Sequence, residues 1–352
     1  MNKRTRISIL FVSILLLLLA AGLALADWGG EGVLGRPPEM PAVQPETAGL
    51  DPQSYLPVTY GSGLSQPWLN TQNKNTVRNF YLTEYLASEG VPSGWNGNHT
   101  SCNAGSTTAA FKQAVLTRVN FFRAMAGISN VASFKNEYNN KAQEAALMMS
   151  VNNLLSHSPP TNWTCYTADG AEAAGYSNLY LGIYGPSAIT GYIRDAGGGN
   201  EPVGHRRWIL YPQTVFMGTG DIPPTSHPSS NALWVIDLEN IGNPRPDTRE
   251  PFVSWPPPGY VPYQVVFERW SFGYALADLT NVTVTMTKNG QPLSLQQHPV
   301  VYGFGERTLV WEPNDTYGQA PTSDIVYNIN VNNVIINGQP QNFSYQVIIF
   351  AP

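Results

Sequence analysis

The sequence predicts an α+β fold, a layered helix-and-strand unit followed by an all-β sandwich. Three observations predict it. Apolar residues recur at three- and four-residue steps from Phe111 and again from Asn136, the period of amphipathic helices. Beyond Pro262 the period falls to two, as where Val282, Val284 and Met286 alternate with Thr283, Thr285 and Thr287, which marks half-buried strands. A proline-rich stretch, Asn243 to Pro262, separates the two patterns.

The first element is a leader. Lys3, Arg4 and Arg6 precede an apolar block from Ile7 to Leu25, and Ala24-Leu25-Ala26 stands before Asp27. That order is expected of a secretory signal peptide over residues 1–26 with a small-residue cleavage site. No later stretch is apolar enough to span a bilayer, so the expectation is a secreted or cell-surface protein with no membrane span after cleavage. Without Lys3, Arg4 and Arg6 the 19 basic residues fall to 16, against 24 acidic ones, a formal charge of −8. Such a surface repels nucleic acid. The 42% hydrophobic content supports real cores and excludes disorder throughout.

Residues 27–78 carry Pro37-Pro38, Pro41, Pro45, Pro52, Pro57 and Pro67 without useful periodicity, and read as a linker or an extended wrap. A layered unit is expected over 79–242. It opens with a short helical pattern (Phe80, Tyr81, Leu86) and a Gly/Asn/Ser loop around Cys102. Phe111, Val115, Val119, Phe122 and Ala126 form the stripe of a helix that stops at Gly127. A second helix from Asn136 turns Tyr138, Ala142, Ala145 and Met149 inward, its small alanines allowing close approach, and ends at Asn152-Asn153. Pro186 suits the first position of a third, which runs through Ile193 to the Gly197-Gly198-Gly199 run. Trp208–Leu210, Thr214–Gly218 and Leu233–Asp237 read as short strands.

Residues 243–262 read as a second proline-rich linker. Over 263–352 about seven short strands are expected, from Val265 and Phe267 through Leu309 and Trp311 to Tyr345, Val347 and Ile349, with hairpin signals at Asn289-Gly290 and Asn337-Gly338. That number in so few residues fits an immunoglobulin-like or fibronectin-like sandwich. Its expected role is binding or spacing, because no titratable cluster stands out there.

Cys102 and Cys165 are the two cysteines. In an oxidising compartment they are expected to form one disulfide worth about 4 kcal/mol by loop entropy. No CxxC spacing points to a metal site or a catalytic thiol instead.

Two histidines, His157 in Leu154-Leu155-Ser156-His157 and His205 in Gly204-His205-Arg206-Arg207-Trp208, each end or open an apolar segment. Histidine titrates near neutral pH and is the commonest metal ligand, so a converging pair can bind a cation or move a proton. The plainer alternative is structural: His157 capping the last carbonyls of a helix, His205 packing beside Trp208. Ser177, Asp195 and either histidine contain the residue types of a hydrolytic triad, but Leu179 stands where a nucleophile elbow needs its second glycine. Tyr176, Tyr180, Tyr184, Tyr192 and Trp208 either line a groove for a lipid, glycan or peptide or fill the core.

The order Asn120-x-x-Arg123-x-x-x-Gly127, the Ala-rich helix, Ser156-His157, Ser177-Asn178-Leu179, Gly204-His205-Arg206-x-x-Ile209-Leu210-x-Pro212 and Gly218-x-Gly220 resembles the CAP superfamily of cysteine-rich secretory, antigen-five and pathogenesis-related proteins. It covers about residues 111–238. The resemblance implies a three-layer α-β-α sandwich with an open cleft where two histidines and two acids converge. His157 and His205 match those histidines and Asp195 the second acid, while Ser177 stands where the family has its first Glu. Zinc usually takes three protein ligands. Two histidines, with Asp195 as third ligand or as the acceptor that fixes a tautomer, imply a weakly held divalent cation such as Zn; Glu172 and Glu201 are the alternative carboxylates. The expected function is an extracellular binding module for an unidentified lipid, glycan or protein, with a metal-assisted or Ser177-based hydrolase as the rival.

Overall fold

The computed structural model describes residues 32–41, 68–128 and 132–352. The expected signal peptide, residues 1–26, lies outside them, as does most of 27–78. Among the described residues no helix is long and apolar enough to cross a membrane.

The fold is α+β with three sheets. The first half holds α1 (Lys74–Phe80), α2 (Ala109–Met125), α3 (Asn136–Asn152), α4 (Ala168–Tyr176), α5 (Pro186–Arg194) and α6 (Gly204–Ile209). Its strands are β1 (Val33–Leu34), β2 (Ser133–Phe134), β3 (Ser177–Leu181), β4 (Phe216–Ile222) and β5 (Ser230–Trp234), in the order β1-β3-β5-β4-β2. The helix ends follow from local chemistry. Thr108 Oγ1 accepts the Phe111 amide at the start of α2, Pro186 occupies the first turn of α5, and Asn153 and Asp195 close α3 and α5 in the left-handed region.

Strand alternation divides this sheet between two layers of helix. Leu179, Ala232 and Trp234 face α3 and α4, where Trp234 stacks on Tyr138 at 4.3 Å. Tyr180, Leu233 and Val235 face the opposite way, into the core shared with α2, α5 and α6. This is the α-β-α layering that the family resemblance implies. Close seating of α3 requires small residues on both sides: a Cβ on Gly220 would come within 2.1 Å of the backbone of Ala142.

The second half is all-β. β6 (Val253–Trp255), β8 (Trp270–Gly273), β11 (Leu295–Gln297) and β12 (Thr308–Pro313) form one sheet, in the order β11-β12-β8-β6. β7 (Gly259–Pro262), β9 (Thr283–Lys288), β10 (Gln291–Leu293), β13 (Ile325–Ile336) and β14 (Gln339–Phe350) form the other, in the order β10-β9-β13-β14-β7. The sheets face each other through Trp270 against Tyr327 at 5.2 Å and Phe272 against Phe343 at 5.4 Å. Both expected hairpin turns are present, Asn289-Gly290 between β9 and β10 and Asn337-Gly338 between β13 and β14.

Four local readings change. Trp208–Leu210 is the end of α6 and its cap rather than a strand, because a three-residue apolar run carries no period of its own. Val265 ends a single 3-10 turn, Tyr263–Val265, instead of pairing in a sheet. Residues 243–262 supply β6 to one sheet and β7 to the other, so the proline run links two strands within the sandwich. Residues 32–41 and 68–78 are built into the fold: β1 pairs with β3, and α1 occupies Lys74–Phe80. One core runs from α2 and α5 through α6 into the sandwich.

Candidate functional site

The segment carrying His205 begins under strain. Val203, a buried β-branched residue, adopts φ 49° and ψ 44° to start α6, a backbone conformation that costs energy for such a side chain. Asp195, at φ 56°, closes α5 in the same left-handed region. The two turns bring an acid and an imidazole together. His205 Nδ1 donates to Asp195 Oδ1 at 2.7 Å, and the Arg206 amide donates to Asp195 Oδ2 at 3.2 Å. Both side chains are fully buried. An ionised carboxylate only accepts, so Asp195 fixes the proton on Nδ1 and leaves the Nε2 lone pair bare in the neutral ring.

The imidazole is clamped from several sides. Tyr192 stacks on it at 5.6 Å, and Asn178 Nδ2 donates to the His205 carbonyl at 3.2 Å. Tyr192 is itself anchored by its hydroxyl, which lies 2.7 Å from Asn231 Oδ1 and 3.0 Å from the Asn178 carbonyl. Burial pushes that phenol well above its ordinary value. Burial also raises the Asp221 carboxyl behind it, against the lowering effect of hydrogen bonds from Thr219, Gly185 and Asn231.

Three polar atoms here have no hydrogen-bond partner among the described residues: His205 Nε2, Ser177 Oγ and Asn178 Oδ1. Ser177 and Asn178 open β3, and all three residues are fully buried. Each such atom costs about 1–3 kcal/mol relative to a satisfied one. Ser177 Oγ makes no hydrogen bond to a histidine, so the expected Ser-His-Asp relay is not assembled; its Asp-His half is.

His157 stands on the other side of the same run of chain. Its Nδ1 lies 2.7 Å from the Ala174 carbonyl and its Nε2 lies 2.6 Å from the Arg36 carbonyl. Only the imidazolium donates from both nitrogens, so in the neutral ring one contact lapses. The anchors of the two histidines, Ala174 and Asn178, are four residues apart, at most about 14 Å along an extended chain. Asp195 meets His205, and Asn178, next to Ser177, meets the His205 carbonyl, while His157 makes no hydrogen bond to any of them.

This donor set does not fit the expected zinc ion. Both His157 nitrogens meet backbone carbonyls and His205 Nδ1 is committed to Asp195, which leaves one imidazole nitrogen where zinc takes three or four ligands. Among the described residues no group of three or more His, Cys, Asp or Glu could hold a metal ion. The alternative carboxylates are engaged elsewhere. Glu172 binds Lys141 at 2.8 Å, and Glu201 accepts the Gly199 amide. The disulfide is present between Cys102 and Cys165, 63 residues apart.

Sequence reasoning missed the segment Gly35–Pro38, which runs from His157 to α6: the Arg36 carbonyl meets His157, the Pro37 ring packs on Gly204, and the Pro38 carbonyl accepts Trp208 Nε1 at 2.7 Å. The signal was the Pro37-Pro38 pair, read only as linker composition. Of the five aromatic residues near the groove, Tyr180, Tyr192 and Trp208 are buried core. Asn120 and Arg123 are scaffold. Asn120 pairs with both backbone groups of Ala132, and Arg123 reaches the carbonyls of Ile209, Tyr211 and Thr214.

Residues 116–237 match the family model described as CAP, the cysteine-rich secretory protein family. No curated protein matches the chain. Among solved structures, a similar chain is PcoC, a methionine-rich copper resistance protein from Escherichia coli. It is 14% identical over 27% of this chain and 92% of that one, with a TM-score of 0.22.

Proposed function

From the premise that this is a CAP superfamily protein, its family segment at residues 116–237, we propose that it acts outside the cytoplasm as a binding module. The groove bordered by His157, Ser177, Asp195 and His205 is its ligand site. The observation that carries this reading is the set of buried polar atoms without partners around the Asp195-His205 pair, His205 Nε2, Ser177 Oγ and Asn178 Oδ1. A fold tolerates such a set where a ligand's polar group completes it. The charge pattern of residues 1–26 supports secretion. The two facing sheets of the second half support an immunoglobulin-like sandwich, whose Arg269 holds the turn at Asp195. The ligand classes in view are lipid, glycan and protein.

One observation favours a second reading. The Asp195-His205 pair has the arrangement of a general base with its orienting acid, and Nε2 is bare. A hydrolase follows if that nitrogen activates a water or Ser177. Titrating the full chain and its His205→Gln variant with neutral glycans, phospholipid vesicles and proline-containing peptides, alongside fluorogenic esters, separates the readings. The binding module predicts that one ligand class binds at least tenfold more weakly to the variant, without turnover. Turnover by the wild-type chain that vanishes in the variant would establish the hydrolase, and no binding by any class would sink the binding reading.

A further inference from the structure

The segment Gly35–Pro38 lies against β3, His157 and α6 in the manner of an extended peptide on a binding face. We propose that the site takes an extended peptide bearing X-Pro-Pro, and that this segment occupies it in cis until a competing segment of the same chemistry displaces it. The inference shares with the binding reading above only the choice of this face as the ligand site, and names its partner class; the segment's carbonyls go to His157 and Trp208, while His205 Nε2, Ser177 Oγ and Asn178 Oδ1 stay without a partner beside it.

The contacts are those of peptide recognition. β1 adds antiparallel to the edge strand β3 through only two residue pairs, Val33 with Leu181 and Leu34 with Tyr180, and the Gly35 amide donates to the Leu179 carbonyl at 3.1 Å. This is strand addition at a sheet edge. Beyond Gly35 the Met40 amide donates to the Gly303 carbonyl at 2.8 Å, and between them two side chains reach the segment: His157 Nε2 to the Arg36 carbonyl at 2.6 Å, Trp208 Nε1 to the Pro38 carbonyl at 2.7 Å. Both strap atoms are main-chain carbonyls. Any peptide of the right shape supplies them.

Two features explain why proline belongs there. Pro37 and Pro38 are buried while the side chains on either side, Arg36 and Glu39, are exposed. Burying an ordinary residue in that place would strand an amide N–H; proline has none to satisfy, and its fixed φ keeps the segment extended. The floor is shaped to match. A Cβ on Gly204 would come within 2.4 Å of the Pro37 ring, so only glycine lets the ring sit this low. The strap's exposed Arg36 and Glu39 then contribute little to recognition, and the specificity lies in the two rings and four carbonyl or amide contacts.

The test uses a fluorescein-labelled peptide of residues 32–41 and the full chain carrying Pro37→Glu and Pro38→Glu, which places charges where the rings are buried. Hydrogen exchange at the Gly35 amide reports whether the strap is off. Expected are an unprotected Gly35 amide in the double variant, peptide binding at least tenfold tighter than to the wild-type chain, and loss of that gain on adding His157→Ala. A peptide with both prolines replaced by alanine should not bind. The milder Trp208→Phe change removes one donor and should speed Gly35 exchange with the fold intact. A strap that stays protected in both variants, or whose displacement unfolds the chain, is a structural part and overturns the proposal. So does a released strap with no peptide binding at 1 mM. Glycan or vesicle binding to the same released variant would then leave the groove a binding site of another class, whereas silence from all three probes fails both readings.

Discussion

Replacing Asp195 with Asn is the sharpest perturbation of the buried pair, because shape is kept and one acceptor becomes a donor. Asp195 accepts twice, from His205 Nδ1 and from the Arg206 amide. An amide group can face only one of these donors with its oxygen. If the oxygen faces Arg206, the NH2 group meets Nδ1, which must give up its proton and accept; the proton moves to Nε2. If it faces His205, the NH2 group opposes the Arg206 N–H across about the same distance. Either way one buried bond to a charged group is lost, about 1.5–3 kcal/mol, and the carboxylate's fixing of the tautomer goes with it. The expected result is a thermal midpoint lower by a few degrees and a change in the His205 ring from an Nδ1–H to an Nε2–H pattern. Nitrogen-15 NMR of labelled imidazoles reads the tautomer directly. A wild-type His205 carrying its single proton on Nε2 would refute the orientation argument, as would a variant with unchanged ring signals and unchanged stability.

Three further outcomes follow from the same contacts. Reduction of Cys102–Cys165, which closes a loop of 63 residues, should lower stability by about 4 kcal/mol, measured as a drop in denaturant midpoint; a change under about 1 kcal/mol would show that the reduced state keeps the loop closed. The His157→Ala/His205→Ala double variant should bind zinc no more weakly than the wild-type chain in calorimetry, and stoichiometric zinc lost in the variant would restore the metal reading. Burial and then the stacked His227, 4.4 Å away, hold His99 below its ordinary value of 6.5. The unfolded chain then binds more protons than the native one, so stability rises with pH through this window and is lost as pH falls from about 6.5 toward the lowered value. Thermal melts from pH 7 to 5 should show that loss shrinking in His227→Gln; an equal loss in both chains removes the pair as its source.

Long periodic elements were legible in the sequence and short or irregular ones were not. α2, α3 and α5 lie where their stripes and caps predict, since each carries several turns of a 3.6-residue pattern. α4 was missed because Ala168–Tyr176 contains Gly170, Gly175 and alanines and has no apolar stripe. The candidate residues come from family order, and their bonding is hidden in it: nothing in Ser156-His157 announces that both ring nitrogens meet carbonyls, one of them 121 residues away at Arg36. Composition misled twice in the same manner. The proline-rich stretches 27–78 and 243–262 read as linkers because proline disfavours regular elements, yet a buried extended segment such as Pro37-Pro38 needs residues without an N–H to satisfy.

The sequence expects binding or spacing of the sandwich, and its contacts add a positioning part. Arg269, just before β8, donates through Nη1 to the Asp195 carbonyl and through Nη2 to that of Gly197 at 2.9 Å, while its Nε binds Glu312 on β12 at 2.9 Å. Arg206 adds a bond to Ser271 on β8 at 3.0 Å. The left-handed turn that aims Asp195 at His205 is therefore held from the second half of the chain. Arg269→Met keeps the apolar stem and removes the fork. It leaves two carbonyls of the turn unpaired, an expected loss of about 1.5–3 kcal/mol for the charged donor, and frees Asp195 to leave its strained backbone region. The His205 imidazole signals should broaden or shift although Arg269 makes no contact with the ring, and Glu312→Gln should produce a smaller change of the same sign. Loss of stability with unchanged His205 signals would make the sandwich a prop for the fold alone; a shift in both would make it a positioning element of the groove.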